Sequence, residues 1–116
     1  SPAKRLNLFL RWMVRDDGID LGLWRDVPAD RLLVPLDVHV CRIARRLGLL
    51  RERRSGPRME DARDLAEALK AYDPADPVRF DFALSHLGIS GRCVAGNDAT
   101  PCGRCDLRGA CALGTA

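Results

Sequence analysis

The sequence predicts an all-α domain that ends in a cysteine-rich loop. Apolar residues recur at intervals of three and four in four separate stretches, which is the period of an amphipathic helix. Gly and Pro residues separate these stretches, and no stretch convincingly alternates apolar and polar residues as a strand would. Four of the five cysteines lie close together near the end of the chain.

The predicted helical domain covers residues 1–90, and the cysteine-rich loop covers residues 91–116. The four helices are predicted at residues 3–15, 38–47, 57–72 and 77–87. The first helix is apolar over most of its circumference but carries Lys4, Asn7, Arg11 and Arg15 on one face. We therefore expect a mostly buried helix with one polar stripe. An ordered connector follows, with Leu21, Leu23 and Trp24 as its packing anchors.

The second helix is predicted to begin after Asp37, whose carboxylate can accept the free amide hydrogens of a first turn. Val40, Cys41 and Ala44 form its core face. Gly48 suits the left-handed residue that follows a helix end. The third and fourth helices begin near prolines and each carry one apolar face.

The length of 116 residues fits one globular domain, and a hydrophobic content of 47% excludes an intrinsically disordered chain. No apolar stretch approaches the roughly 18 residues that a membrane-spanning helix needs. No segment resembles a signal peptide. We therefore expect a soluble, cytoplasmic protein with no membrane partner. The sequence leaves its oligomeric state open.

Positive charge is concentrated in the first half of the chain. Residues 1–58 hold 13 Lys or Arg against 7 Asp or Glu, and residues 59–116 hold 6 against 9. A run of arginines attracts a polyanion such as nucleic acid, although a solvated helix surface has the same composition. We predict a DNA-binding surface formed by Arg42, Arg45, Arg46, Arg51, Arg53, Arg54, Arg92, Arg104 and Arg108.

The cysteine loop has the spacing Cys-x8-Cys-x2-Cys-x5-Cys, formed by Cys93, Cys102, Cys105 and Cys111. In a chain without a secretion signal, such a group more often binds a metal than forms disulfides. Structural zinc sites usually use two Cys-x2-Cys pairs, whereas this loop has one, which favours a [4Fe-4S] cluster. Zinc is the alternative metal, and disulfides or free thiols are the third possibility. Cys41 is interpreted as a buried packing residue.

Two segments resemble the helix-hairpin-helix (HhH-GPD) DNA glycosylases of the endonuclease III type. Residues 34–47, VPLDVHVCRIARRL, are similar to a family segment in which an apolar approach ends in an aspartate before an Arg-containing helix. The cysteine loop is similar to that family's iron–sulfur loop, with a longer first gap. The runs FLRWMVR and GIDLGLW resemble a subfamily whose substrate is not established. The resemblance covers the C-terminal half of a family member, so we expect a fragment of a longer protein.

The resemblance implies a catalytic role for Asp37 and, in bifunctional members, for a lysine nucleophile that Lys4 matches. Asp37 would stabilise positive charge on a sugar, and Lys4 would attack its C1′ atom. We expect both side chains to approach a common pocket, because each begins a helix. The alternatives are an ordinary helix cap for Asp37 and an exposed lysine for Lys4. His39 and His86 are interpreted as helix-surface or packing residues.

The leading functional hypothesis is a base-excision DNA glycosylase, with or without AP lyase activity, that binds damaged double-stranded DNA. One alternative is a non-catalytic DNA-binding or scaffold module that holds an iron–sulfur cluster. A zinc-bound structural domain is the other. The sequence does not identify the base lesion.

Overall fold

A computed structural model describes residues 1–53 and 56–115. It contains four α-helices, named here α1 (Lys4–Val14), α2 (Val38–Arg46), α3 (Met59–Leu69) and α4 (Asp81–Ile89). Short 3-10 segments lie at Ala29–Arg31, Pro77–Phe80, Thr100–Arg104 and Arg108–Ala110. No strand occurs in the described ranges, so the predicted all-α class is confirmed for them. No helix in these ranges is long and apolar enough to cross a membrane.

The ends of the last two helices differ from the prediction. The third helix begins only at Met59, where the Asp61 carboxylate accepts the backbone N–H of Arg58 at 2.9 Å and fixes the first turn. The fourth predicted helix is divided into a 3-10 turn that starts at Pro77 and then α4. The proline has no N–H to contribute to a helical ladder, so it suits this first turn.

α2 is the central helix of the core and packs against α4. Val40 and Ala44 on its inner face are fully buried together with Leu65 of α3. The helices approach closely at Gly88, where a Cβ would lie 2.5 Å from the Cβ of His39. Glycine at this position therefore allows α2 and α4 to pack at short range.

The end of α2 follows the predicted pattern. Gly48 adopts a left-handed backbone with φ of 75°. Its N–H donates to the carbonyl of Arg45 at 3.1 Å, and the N–H of Leu49 donates to the carbonyl of Ala44 at 2.9 Å. These two bonds form a Schellman motif, which satisfies carbonyls that the helix end leaves open.

α1 turns its polar face inward, which corrects the expectation of a mostly buried apolar helix. Asn7 and Arg11 are buried, whereas Leu6, Phe9 and Trp12 are about half exposed. The inversion has a physical reason, because the loop after α1 and the start of α4 bring carboxylates to the guanidinium groups of the polar stripe. Paired charges can be buried, whereas isolated ones cannot.

A buried ion network joins α1 to its neighbours. Arg11 donates from Nη1 to Asp20 at 3.0 Å, and its Nε lies 3.0 Å from Asp81 of α4. Arg15 donates from Nη1 to Asp20 at 2.8 Å and binds Asp76 with two parallel bonds of 2.9 and 2.8 Å. The Asp76 bond is the main reason that the pKa of Arg15 is raised. Ion pairs therefore connect α1 to its neighbours, alongside the apolar contacts that Leu10 and Val14 make with the core.

The apolar side of α1 forms an outward aromatic surface with the connector. Phe9 packs edge-to-face on Trp24, with ring centroids 5.7 Å apart. Trp12 and Trp24 stay 46% and 40% exposed. The prediction of Leu21, Leu23 and Trp24 as packing anchors is therefore wrong in part. Leu21 and Leu23 are 65% and 64% exposed, and Trp24 packs on another exposed ring.

Candidate functional site

Lys4 and Asp37 meet where α1 and α2 begin. Lys4 is the first residue of α1 and follows Ala3, whose left-handed φ of 51° turns the chain sharply into the helix. Asp37 is the N-cap of α2, and its Oδ1 accepts the backbone N–H of Val40 at 2.9 Å. Its other oxygen, Oδ2, accepts a hydrogen bond from Lys4 Nζ at 3.0 Å. The structure therefore brings the two sequence-predicted catalytic residues together, and their catalytic roles stay predictions.

The electrostatics of the pair favour an ionised carboxylate. Burial by itself raises the pKa of Asp37. The hydrogen bonds from the Val40 N–H and the Lys4 ammonium lower it by more, so the net pKa lies below its ordinary value. The Asp37 side chain is 17% exposed and that of Lys4 is 42% exposed. An ionised carboxylate thus lies beside an amine that solvent or a substrate can reach.

Arg42 and Arg46 point toward the cysteine-rich tail, residues 91–115. Arg42 donates to the carbonyl of Cys93 at 2.9 Å. Arg46 donates to the carbonyls of Val94 and Gly96 at 2.8 and 2.7 Å, and its Nη1 lies 3.1 Å from Cys93 Sγ. Both arginines were predicted to bind DNA. One bond from Arg42 and three contacts from Arg46 thus dock the tail, and DNA contact by these residues stays a prediction.

The remaining predicted DNA-binding arginines lie in different surroundings. Arg45 lines a cavity of about 410 Å³ together with Arg42, Arg46 and Glu52. Arg53 donates to Glu60 at 2.7 Å. Exposed positions are held by Arg51, Arg92, Arg104 and Arg108. Arg54 lies outside the described residues. The described arginines are thus spread over α2, the segment after it and the tail.

The four clustered cysteines are free thiols, each partly buried. In the described part of the chain no group of three or more His, Cys, Asp or Glu side chains is arranged to hold a metal ion. The predicted ligation by Cys93, Cys102, Cys105 and Cys111 therefore stays a prediction. Cys41 is buried on α2, and burial raises the pKa of its thiol, in keeping with a packing role.

Sequence reasoning missed the cavity between α4 and the tail. Phe82 and His86 line it from α4, and His86 had been interpreted only as a surface or packing residue. The available signal was the four-residue spacing of two rings, which places them on one helix face. The packing of the tail beside them had no local signal.

One family model matches residues 1–90, and its description is "Protein of unknown function (DUF2400)". The match stops short of the clustered cysteines. No curated protein and no solved structure matches the chain. The matching family is not the HhH-GPD DNA glycosylase family that the two sequence segments resemble, so that family assignment is corrected.

Proposed function

The chain belongs to the DUF2400 family, whose function is unknown, and from its site we propose a base-excision enzyme that removes a damaged base from DNA and cleaves the resulting abasic strand. The observation that carries the proposal is the 3.0 Å contact between Lys4 Nζ and Asp37 Oδ2. An accessible amine beside an ionised carboxylate supplies a nucleophile together with a group that stabilises positive charge.

Each step of the proposed reaction has a group to perform it. Lys4 Nζ first loses a proton, for which Asp37 Oδ2 is an acceptor within hydrogen-bond distance, and then attacks the sugar C1′. The bond from C1′ to the base breaks, and the base leaves with the electron pair and takes the proton that Asp37 accepted. Ring opening moves one proton from Nζ to O4′ and leaves a protonated imine between Nζ and C1′. The Asp37 carboxylate then accepts a proton from C2′, the 3′ phosphate leaves, and water hydrolyses the imine to free the amine.

Binding of the DNA backbone is proposed to rest on arginines that no carboxylate engages in the described residues. Arg51, Arg92 and Arg104 are exposed and form no ion pair there. Guanidinium groups bind phosphate oxygens through paired N–H donors. A damaged base must also leave the stack to reach a nucleophile such as Lys4, and this unpairing is easiest at damaged positions.

The tail cysteines support a [4Fe-4S] cluster as the proposed cofactor. Four thiols within one short loop fit the donor set of such a cluster, and they also fit zinc. Arg46 already places a donor 3.1 Å from Cys93 Sγ, as outer-shell groups do for ligand sulfurs. When bound, the cluster would cross-link the loop through Cys93, Cys102, Cys105 and Cys111.

Borohydride trapping tests the proposal directly. A duplex with one abasic site is mixed with the anaerobically purified chain, and borohydride reduces any imine to a stable amine. We expect a covalent complex that Lys4→Met abolishes. Asp37→Asn should slow its formation about 100-fold or more, because general acid–base groups contribute about that factor. The asparagine keeps the N-cap, so α2 stays intact.

The chain offers a matched control, because Lys70 is its one other lysine. Lys70→Met should leave trapping unchanged. An N-terminal α-amine can also form an imine, so peptide mass spectrometry of the trapped complex must place the adduct on Lys4. An adduct on the N-terminal amine alone, or trapping that survives Lys4→Met, would remove the basis for the enzyme.

A second candidate is a non-catalytic module whose tail holds a metal. It is favoured by the docking of Arg42 and Arg46 on tail carbonyls, because this gives the tail a structural connection to the core. Metal analysis separates the two metals: iron with equal acid-labile sulfide indicates the cluster, and stoichiometric zinc indicates a zinc domain. Bound metal without Lys4 trapping would favour this module over the enzyme.

A further inference from the structure

A cavity of about 910 Å³ lies between α4 and the cysteine-rich tail, and neither Lys4 nor Asp37 lines it. This volume is within the range of pockets that hold small molecules. Phe82 and His86 line it from α4, and Arg92 and Arg104 line it from the tail. The cavity therefore combines aromatic rings with guanidinium groups.

The aromatic part is a pair of stacked rings. The centroids of Phe82 and His86 are 6.1 Å apart, and their planes differ by 9°. Phe82 is 54% exposed, so an apolar ring remains in contact with water. Nucleic-acid bases stack on such rings whatever their sequence, because every base has a flat π-surface. The rings thus offer a platform for a planar ligand.

The charged part is suited to a phosphate. Arg92 and Arg104 are exposed, and within the described residues neither forms an ion pair with a carboxylate. Asp106 also lines the cavity and offsets one of the two positive charges. The remaining positive charge selects a ligand that is anionic as well as aromatic. An apolar peptide would leave both guanidinium groups without an anionic partner.

We infer that this cavity binds an unpaired base of a nucleic-acid strand, with the base stacked on Phe82 and an adjoining phosphate bound by Arg92 and Arg104. The inference deepens the proposed function and rests on its nucleic-acid partner. It assigns the binding of an unpaired strand to α4 and the tail, whereas the proposed reaction takes place where α1 and α2 begin.

Fluorescence anisotropy with two labelled probes tests the inference. One probe is a single strand of about eight thymidylates, a length within the site size of single-strand binding domains. The other is an abasic strand of equal length and charge. The wild-type chain should bind the thymidylate strand more tightly. Phe82→Ala should weaken that binding about tenfold, as loss of one stacked base does, and should leave abasic binding unchanged.

Arg104→Ala should weaken binding of both strands and lower the slope of log affinity against log salt by about 0.7. Two controls lie outside the cavity. Tyr72→Ala removes an exposed ring that contacts Phe80, and Arg63→Ala removes an exposed charge from α3. Both should leave binding of the thymidylate strand within about twofold of wild type. Phe82→Leu keeps the bulk of the side chain but not the ring, and should behave as Phe82→Ala does.

The inference is overturned if the wild-type chain binds neither strand or binds both equally, or if Phe82→Ala weakens both strands alike. Concentration-dependent self-association that Phe82→Ala abolishes would also overturn it and assign the cavity to a second copy of the chain. The two proposals can fail separately. Lys4→Met should still bind the thymidylate strand more tightly than the abasic strand. Binding that depends on Phe82, in a chain that gives no borohydride trapping, would refute the proposed reaction but not the cavity.

Discussion

Asp81 offers a quantitative test of the buried ion network. It is the first residue of α4, is 5% exposed, and lies with Oδ1 3.0 Å from Arg11 Nε. In the described part of the chain, neither of these atoms has a partner with hydrogen-bond geometry. The Oδ1 atom of this carboxylate is thus removed from water without a well-aligned bond in return. We therefore expect Asp81→Asn to stabilise the protein near neutral pH.

The magnitude follows from the pKa of Asp81. Burial raises this pKa from its ordinary 3.8 to about 6, although Arg11 and Arg15 act in the opposite direction. The folded state then binds the proton more tightly than the unfolded state does. The contribution of Asp81 to stability is therefore greatest below about pH 4, falls as pH rises to about 6, and stays lower above it. At about 1.4 kcal/mol for each pH unit, the loss is about 3 kcal/mol.

Urea unfolding followed by circular dichroism measures the effect. The introduced asparagine cannot ionise, so at pH 7 the Asp81→Asn variant should exceed the wild type in free energy of unfolding by about 3 kcal/mol. At pH 4 the difference should nearly vanish. Asp64→Asn, at an exposed position of α3, is the control for loss of one aspartate charge. If Asp81→Asn is instead less stable at pH 7, the Arg11 pair is net stabilising and the reasoning fails.

Three further predictions concern α2 and its contacts. Gly88→Ala should lower the free energy of unfolding by about 1–3 kcal/mol, because the new Cβ would lie 2.5 Å from the Cβ of His39. Gly103→Ala is the control: a Cβ there would have no atom within 4 Å, so the free energy of unfolding in the same urea titration should change by less than about 0.5 kcal/mol. Asp37→Ala should cost about 1 kcal/mol by thermal unfolding through loss of the N-cap, and an unchanged melting temperature would contradict the cap. Arg46→Met should speed amide hydrogen exchange throughout the tail, whereas equal protection in variant and wild type would show that this arginine does not dock it.

Local signals were enough to predict α2. The Asp37 cap and the Gly48 turn each depend on chemistry within a few residues, so the sequence carries them directly. The inward polar face of α1 depends only partly on near neighbours. Asp20 lies within nine residues of Arg11 and Arg15, but Asp76 and Asp81 are more than 60 residues from α1 along the chain. Apolar periodicity alone therefore assigned the wrong side of α1 to the interior.

The candidate site shows the same division. The sequence indicated both Lys4 and Asp37, and the structure brings them into contact, but no pattern within either segment fixed their distance. A count of arginines predicted positive charge without showing which donors stay free. Arg42 and Arg46 bind tail carbonyls because the tail folds back on α2. Residues about 50 positions apart share no sequence periodicity, so the sequence did not predict this contact.

The outward aromatic surface of α1 determines what fluorescence can report. Trp12 and Trp24 are the two tryptophans of the chain, and both lie on this surface in partial contact with water. Unfolding changes their surroundings less than it would change those of core tryptophans, so their emission should shift little when the domain unfolds. A molecule that covers this face would instead exclude water from both indole rings at once. Tryptophan emission in this protein is therefore better suited to detecting a partner on α1 than to following loss of the fold.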